Sequence, residues 1–599
     1  KTAYDVGTGD WSSDVCSSDL IKQIMIVMKN LKTFAIFILA AALLSSCGGV
    51  SKMVKEADQV GYKVTPEVLE VHGGVVDADI TVNFPVKYFN KKAVVTFTPV
   101  IRYEGGELEL EPVTLQGEDV TENNQSISFD NGGSASHSIS FPYEDAMMMS
   151  ELYFVISGRI KDKVTEMGEV KVADGIITTS QMVYKKAKVL SFSDNFKQIV
   201  PEAYEADIKY VINRADVRKS EMKKEEVGAI TPTIQETNEN ERLNLTGVEI
   251  SAYASPDGEL DLNTKLAEKR QKTAQKYLAG QLKKGEVDME ESMLTVLATP
   301  EDWEGFKKAM EASDIQDKEM ILRVLSMHSD PVVREQEIKN LSAAYEVIAE
   351  EILPDLRRSK FTVNMDKIGW YDDELKELWV SNPDTLVLEE LLYTATLVDD
   401  KETKAKVYAK AVEVAPNCIR AHNNLGAVLF KMGKVDEAEA SFNKAKELRD
   451  HDNVNNNLGA VALDKGNVAS AKEAFTASLG AGDDVNYNLG VVNTIEGDYD
   501  GALNYYGSDA SYNAALTKYL NGDSQGAWNM ASGLEKESPY KSYLLAVIAA
   551  SQDKPDVAIE NLTKAVETCK DPQMMKDHAK KDLEFAKLFE TAEFKAVVE

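Results

Sequence analysis

Asn423 to Phe442 reads NNLGAVLFKMGKVDEAEASF, Asn456 to Phe475 reads NNLGAVALDKGNVASAKEAF, and Asn488 to Tyr506 reads NLGVVNTIEGDYDGALNYY. Each copy carries a Leu-Gly pair (Leu425-Gly426, Leu458-Gly459, Leu489-Gly490), then an Ala twelve residues after the Gly (Ala438, Ala471, Ala502). Four residues further on comes a ring: Phe442, Phe475 and Tyr506. Three copies in register are not chance; a fixed period marks a repeat array, in which each unit buries its apolar face against its neighbours. Working outward, an earlier unit shows as Leu391, Tyr408, Ala411 and Pro416. Later units are weaker: Ala527 after Asn521-Gly522-Asp523, then Leu545-Ala546 with Ala558, Leu562 and Ala565. The array spans 385–572 as about six repeats with the fifth shortened, and Lys576 to Val598 reads as an amphipathic closing helix that caps it over 573–599.

These spacings resemble the tetratricopeptide repeat (TPR). In that family Leu and the small Gly and Ala let the two helices of a repeat pack closely, and the aromatic fills the space beneath the next repeat. The resemblance implies an all-α superhelix whose inner face, lined by the first helix of each pair, takes extended peptides or partner helices. Here that face presents Asn423, Asn424, Asn456, Asn457 and Asn488 beside Ala427, Ala460 and Val491. An asparagine amide offers both a donor and an acceptor, which suits a peptide backbone. The same asparagines also fit a purely structural role before Leu-Gly. Family members that clamp a C-terminal carboxylate carry Lys at the positions of Asn423 and Asn456, so that mode is not expected. Cys418 and Cys569 read as small core residues.

Upstream, the period changes to two over 62–187. Ile80-Thr81-Val82-Asn83-Phe84 alternates, and Val94 to Tyr103 leads through Glu104-Gly105-Gly106-Glu107 into Leu108-Glu109-Leu110. Ser126 to Phe129 and Ser138 to Phe141 flank a second Gly-rich turn, and Leu152 to Ile160 and Glu169 to Ile177 add strands. Alternation with Gly-rich turns predicts an antiparallel all-β sandwich.

Between 188 and 366 the pattern is mixed. Val189-Leu190-Ser191-Phe192 reads as a short strand and Pro201 to Asn213 as a helix with Pro near its start. Gly247 to Ala254 is a strand that enters the turn Ser255-Pro256-Asp257-Gly258, and a helix follows from about Asn263 with Leu266, Ala267, Arg270, Ala274 and Tyr277 on it. Trp303, Phe306, Ala309 and Met310, then Ile321, Leu322 and Val324, keep apolar helix faces. Asn263, Leu266, Ala267 and Arg270 after that strand and turn resemble the OmpA-like C-terminal family, and Arg357-Arg358 resembles its paired Arg before the last strand. The resemblance implies an α+β domain that binds the diaminopimelate of peptidoglycan, a zwitterion needing a guanidinium and a carboxylate. Arg270 falls at the family's guanidinium position and Ser255 at the position of its Asp, with Asp257 two residues on and Gly258 in the turn. A hydroxyl carries no charge for an ammonium group, so the match is incomplete. Residues 367–384 read as a linker.

At the other end, Trp11 to Leu20 resembles translated sequencing-adapter read-through, and 1–27 is set aside. From Met28, Lys29 and Lys32 precede an apolar run, Thr33 to Leu44, shorter than the ~20 residues of a membrane span. Leu44-Ser45-Ser46-Cys47 resembles a bacterial lipobox. It implies a signal peptide over 28–46, lipidation at Cys47, and a tether over 47–61. In the Bacteroidetes lipoproteins that this start resembles, acidic residues after the Cys favour surface export. Gly48-Gly49-Val50-Ser51-Lys52 has none, which implies an outer-membrane anchor facing the periplasm.

The composition bounds the function. A net charge of -32, from 67 Lys+Arg and 99 Asp+Glu, argues against nucleic acid and against attraction to an anionic membrane surface. Four Cys and six His support neither a disulfide framework nor a rich metal site. No G-x-S-x-G, H-E-x-x-H, Cys-x-x-Cys or phosphate-loop motif is present. The expectation is a multidomain chain with an N-terminal all-β sandwich, a central α+β OmpA-like domain and a C-terminal all-α TPR superhelix. It acts as a non-catalytic scaffold without cofactor, binding periplasmic or outer-membrane proteins, with peptidoglycan anchoring as the alternative.

Overall fold

The computed structural model describes residues 49–316, 318–340 and 342–599, so Cys47 and the signal-peptide segment lie outside the described residues. The described residues divide into two compact units, one of those up to Tyr184 with Gly490–Glu599 and the other of those in Lys185–Leu489.

In the first unit a short helix, α1 (Gly49–Lys55), precedes ten strands: β1 (Gly61–Thr65), β2 (Val68–His72), β3 (Val75–Phe84), β4 (Val94–Tyr103), β5 (Gly106–Glu109), β6 (Val113–Gly117), β7 (Gln125–Ile127), β8 (Gly133–Pro142), β9 (Glu151–Ile160) and β10 (Lys163–Ile177). Alternation does the work here: Leu152, Phe154 and Ile156 of β9 turn inward while their neighbours are partly exposed. The strands form one sheet that folds over at β2, whose end pairs with β3 (Val71 with Val76) and whose start runs parallel to β10 (Leu69 with Ile176). Both halves line one core, which includes Leu69, Ile80, Phe97 and Phe154. The expected β-rich region is therefore present as a half-barrel, with parallel pairs at β2/β10 and β6/β7 instead of antiparallel pairing throughout. Ser138 to Phe141 does not close a hairpin with Ser126 to Phe129; β8 pairs along the whole of β3. Val50 and Met53 of α1 are buried in this core, so residues 49–55 are part of the fold and not of a free tether.

The second unit holds a four-stranded sheet in the order β11 (Ile199–Lys209), β14 (Arg358–Ile368), β12 (Leu243–Tyr253), β13 (Leu294–Thr299). β12 and β13 run parallel, and β14 is antiparallel to both β11 and β12. The helix expected over Pro201 to Asn213 is strand β11. Tyr204, Ala206, Ile208 and Tyr210 recur every second residue, Ala206, Ile208 and Tyr210 are buried, and Pro201 is accommodated because β11 is an edge strand. Helix α2 (Glu225–Glu239) and the long α3 (Leu260–Gly285) cover the sheet, and α3 buries Ala267, Arg270, Ala274, Leu278 and Leu282 on one helical stripe. Between β13 and β14 come α4 (Trp303–Ala312), α5 (Lys318–Ser326), α6 (Pro331–Asn340), α7 (Ser342–Glu351) and α8 (Leu353–Leu356), with their own core of Phe306, Met310, Ile321, Ile348 and Leu353. The sheet begins at Ile199, not at 188, and Val189 to Phe192 joins no strand. The stretch expected as a linker carries helix α9 (Asp372–Ser381).

Six helix pairs follow. They are α10 (Leu388–Thr394) with α11 (Lys401–Val414), α12 (Ile419–Lys431) with α13 (Val435–Leu448), α14 (Asp452–Asp464) with α15 (Val468–Thr476), α16 (Asp483–Glu496) with α17 (Tyr499–Tyr506), α18 (Tyr512–Leu520) with α19 (Ser524–Ser532), and α20 (Pro539–Ser551) with α21 (Pro555–Thr568). The unit boundary falls within α16. In place of one closing helix, the chain ends in α22 (Pro572–Ala579), a 3-10 segment Leu583–Leu588 and α23 (Ala592–Val598). Within the first unit α17 and the 3-10 segment pack on the β region. Nδ1 of His72 lies 2.6 Å from the Tyr499 hydroxyl, and Thr179 donates to Glu584 at 2.7 Å.

Candidate functional site

The repeat pattern places the asparagines by simple geometry. A Cβ added to Gly426 would stand 2.6 Å from Cε1 of Phe442, and one added to Gly459 would stand 2.8 Å from the Phe475 ring, so the glycine face of each first helix is pressed against its partner helix. At about 100° per residue, the position two before each Gly lies on the opposite face, the concave one. Asn424, Asn457 and Asn488 sit there, with Asn423 and Asn456 one position earlier, and all five are buried.

They are buried because the chain's own residues 188–192 lie along them. The Lys188 N–H donates to Oδ1 of Asn488 at 2.7 Å, while Nδ2 of Asn488 donates to the Lys188 carbonyl at 2.8 Å. Asn457 makes the same reciprocal pair of hydrogen bonds with Leu190, at 2.7 Å each way. Asn424 does so to Phe192, at 2.7 and 2.8 Å. Asn423 adds a bond to the Leu190 carbonyl at 2.9 Å and Asn456 one to that of Lys188 at 3.0 Å. Amide-to-amide bonds, Asn457 to Asn423 (2.9 Å) and Asn488 to Asn456 (2.8 Å), fix each side chain's orientation. Asn424, Asn457 and Asn488 thus each satisfy both backbone groups of one of three alternate residues of an extended strap.

The strap's side chains are held too. The Lys188 ammonium is 3.2 Å from the Asp484 carboxylate and 4.4 Å from the centroid of the Tyr487 ring. Phe192 meets His451 edge-on at 4.7 Å, and Phe196 stacks on Tyr393 at 4.6 Å. The Asn195 N–H donates to Glu389 at 2.8 Å, and Arg420, paired with the same carboxylate, holds it below the usual carboxylate range. Within the first unit the motif recurs once. Asn513 exchanges both bonds with Tyr184, at 2.9 Å each. Asn513 was legible in the sequence: twelve residues before Ala527 is Ala515, and Asn513 stands two before it. Nothing in the sequence marked Lys188, Leu190 and Phe192 as the residues these asparagines hold.

The residues matched to the OmpA-like pattern meet at one end of the central sheet. Nδ2 of Asn263 donates to the carbonyls of Ser255 (3.0 Å) and Gly258 (2.8 Å), closing the turn after β12. Arg270 is fully buried, and its guanidinium donates to the backbone carbonyls of Tyr253 (2.7 Å), Arg214 (3.0 Å) and Val211 (3.4 Å) while lying 5.0 Å from the Tyr210 ring. Burial lowers its pKa to about 10, so it stays charged at neutral pH, ringed by carbonyls and not facing solvent. The guanidinium beside the turn belongs to Arg357, which reaches Oγ of Ser255 at 3.3 Å and the Asp257 carboxylate at 3.6 Å. Among the described residues no group of His, Cys, Asp and Glu is arranged to hold a metal ion, and no helix is long and apolar enough to cross a membrane.

Residues 419–452 match one family model described as tetratricopeptide repeat, and 456–527 match a second of the same description. No curated protein matches the chain. Among solved structures, a tetratricopeptide repeat protein from Parabacteroides merdae is 15% identical, covering 35% of this chain and 91% of that one, with a TM-score of 0.29. YrrB, described as a TPR protein with an unusual peptide-binding site, is 20% identical over 35% of this chain and all of its own, with a TM-score of 0.21. PilW, described as a type IV pilus biogenesis factor, is 19% identical over 33% and 91%, with a TM-score of 0.26. The helix pairs between residues 419 and 527 are thus tetratricopeptide repeats.

Proposed function

We propose that this protein is a non-catalytic scaffold, lipid-anchored through Cys47 at the outer membrane and facing the periplasm, that binds partner proteins through its repeats. The observation that carries the reading is the asparagine ladder, three side-chain amides in register that each satisfy both backbone groups of an extended segment. Such a surface recognises backbone first and side chains second, which is what a protein-binding module needs. The lipobox-like Leu44 to Cys47 supports the anchor, since acyl chains give membrane affinity that an acidic surface does not. Cross-linking of the intact chain in cells, followed by mass spectrometry, tests it. We expect recovery of defined outer-membrane or periplasmic proteins; recovery of none above a control lipoprotein overturns the reading.

A second reading, a peptidoglycan-binding anchor built on an OmpA-like domain, is favoured by one observation. Asp257 and Arg357 place opposite charges 3.6 Å apart at the turn, the pairing that a zwitterionic diaminopimelate needs. With the Arg270 donors spent on carbonyls, Arg357 takes the guanidinium role. Pull-down with isolated sacculi decides it: we expect recovery of the wild-type chain and at least a tenfold loss with Arg357→Ala. Equal recovery of the two chains sinks this reading.

A further inference from the structure

Among the described residues the strap takes part in no strand pairing. Its alternate backbone groups are held by side-chain amides, while Ser191, Ser193 and Asn195 on the other side are exposed. What the groove selects can be read from this occupant. There is an acid and a ring for a Lys (Asp484, Tyr487), then His451 for an aromatic four residues on and Tyr393 for another four beyond that. Resting on the groove reading above, we propose that residues 185–196 are a resident ligand. The groove takes in exchange an extended segment of a partner protein with Lys and two aromatics at the spacing of Lys188, Phe192 and Phe196. Charge favours a partner over a second copy of this chain, because two bodies of net charge -32 repel, whereas a Lys-bearing segment complements Asp484.

The thermodynamics are those of an intramolecular competitor. A tethered strap acts at an effective concentration on the order of millimolar, so with an intrinsic Kd of ~10 μM it fills the groove about 99% of the time. An external segment of equal intrinsic affinity then binds about 100-fold more weakly than to an open groove. Partner binding is thereby restricted to segments that outbid the strap or arrive at high local concentration.

The test uses the full chain and a fluorescent peptide with the sequence of residues 185–197, read by anisotropy. Lys188→Ala/Phe192→Ala/Phe196→Ala in the protein weakens the strap and leaves the groove intact. We expect it to bind the peptide at least tenfold more tightly than wild type, and to lose that gain when Asn424→Ala and Asn457→Ala are added. Equal affinity of the wild-type and strap-weakened chains overturns the proposal and makes the strap a permanent structural closure. A second variant avoids dependence on the folding of the triple substitution. Phe192→Cys with His451→Cys locks the strap when oxidised, and peptide binding should fall on oxidation and return on reduction; no change between the two states overturns the proposal. Sedimentation of the strap-weakened chain as a dimer would identify a second copy as the occupant and likewise overturn it. Should the strap prove permanent while cross-linking still recovers partners, the scaffold reading survives with partners on another face.

Discussion

Gly459 is a position where one methyl group decides whether two helices fit. A Cβ there would stand 2.8 Å from two carbons of the Phe475 ring and 3.1 Å from Cβ of Ala474. In an exposed helix Gly→Ala gains about 0.5–1 kcal/mol, and overpacking a close contact costs about 1–3 kcal/mol, so the clash wins. We expect Gly459→Ala to lower the urea midpoint. Gly280→Ala, inside α3 with nothing within 4 Å of its added Cβ, should raise it slightly. A midpoint that rises for Gly459→Ala would contradict the packing described. This contact was legible from spacing, because the Gly and the ring sit at fixed offsets within one repeat. The fate of Arg270 was not. Its stripe on α3 follows from helical period, but besides the Tyr253 carbonyl its partners are those of Val211 and Arg214, more than fifty residues earlier, in and just after a segment that the sequence misreads as helical.

At the scale of elements, period decided correctly where a segment fits a single reading, and failed where it fits two. β11 offers both a helical and an alternating reading, and sheet pairing with β14 along its whole length settled the contest. The closing segment breaks at Leu583–Leu588, where the chain inserts a carboxylate between the repeats and the β region of the first unit. Glu584 accepts from Thr179 and from the Tyr519 hydroxyl (3.0 Å) beside a cavity of about 300 Å³ that Glu70, His72 and Ser180 also line. Burial, with Asp582 and Glu70 nearby, pushes Glu584 up to about 7, and burial raises Asp582 as well, against the pull of His578. Between an unfolded value near 4.5 and the folded value, the native state binds the extra proton, so stability falls as pH rises through that window. We expect thermal stability to drop between pH 5 and pH 7.5 and the drop to shrink by on the order of 1–3 kcal/mol in Glu584→Gln. An unchanged pH slope in that variant would show that Glu584 ionises normally.

For the whole molecule, composition and period together establish a great deal. The charge of -32 argues against a phosphate-rich partner, the in-register Leu-Gly, Ala and aromatic positions dictate paired helices, and alternation dictates a β region before them. The asparagines were legible as one shared face, suited to a peptide backbone or to a structural role, because their offset from the packing glycine is fixed within a repeat. Only the tertiary structure decided what that face holds. Residues 188–192 read as a short strand but pair with none, and they are held extended by asparagines 232 to 300 residues away in sequence. Likewise the chain's division into a unit of β strands with the last repeats and a unit of the central sheet with the first ones is invisible to any local pattern. Periodicity reports which face of an element is buried; which element does the burying depends on contacts between distant parts of the chain, and those form only in the fold.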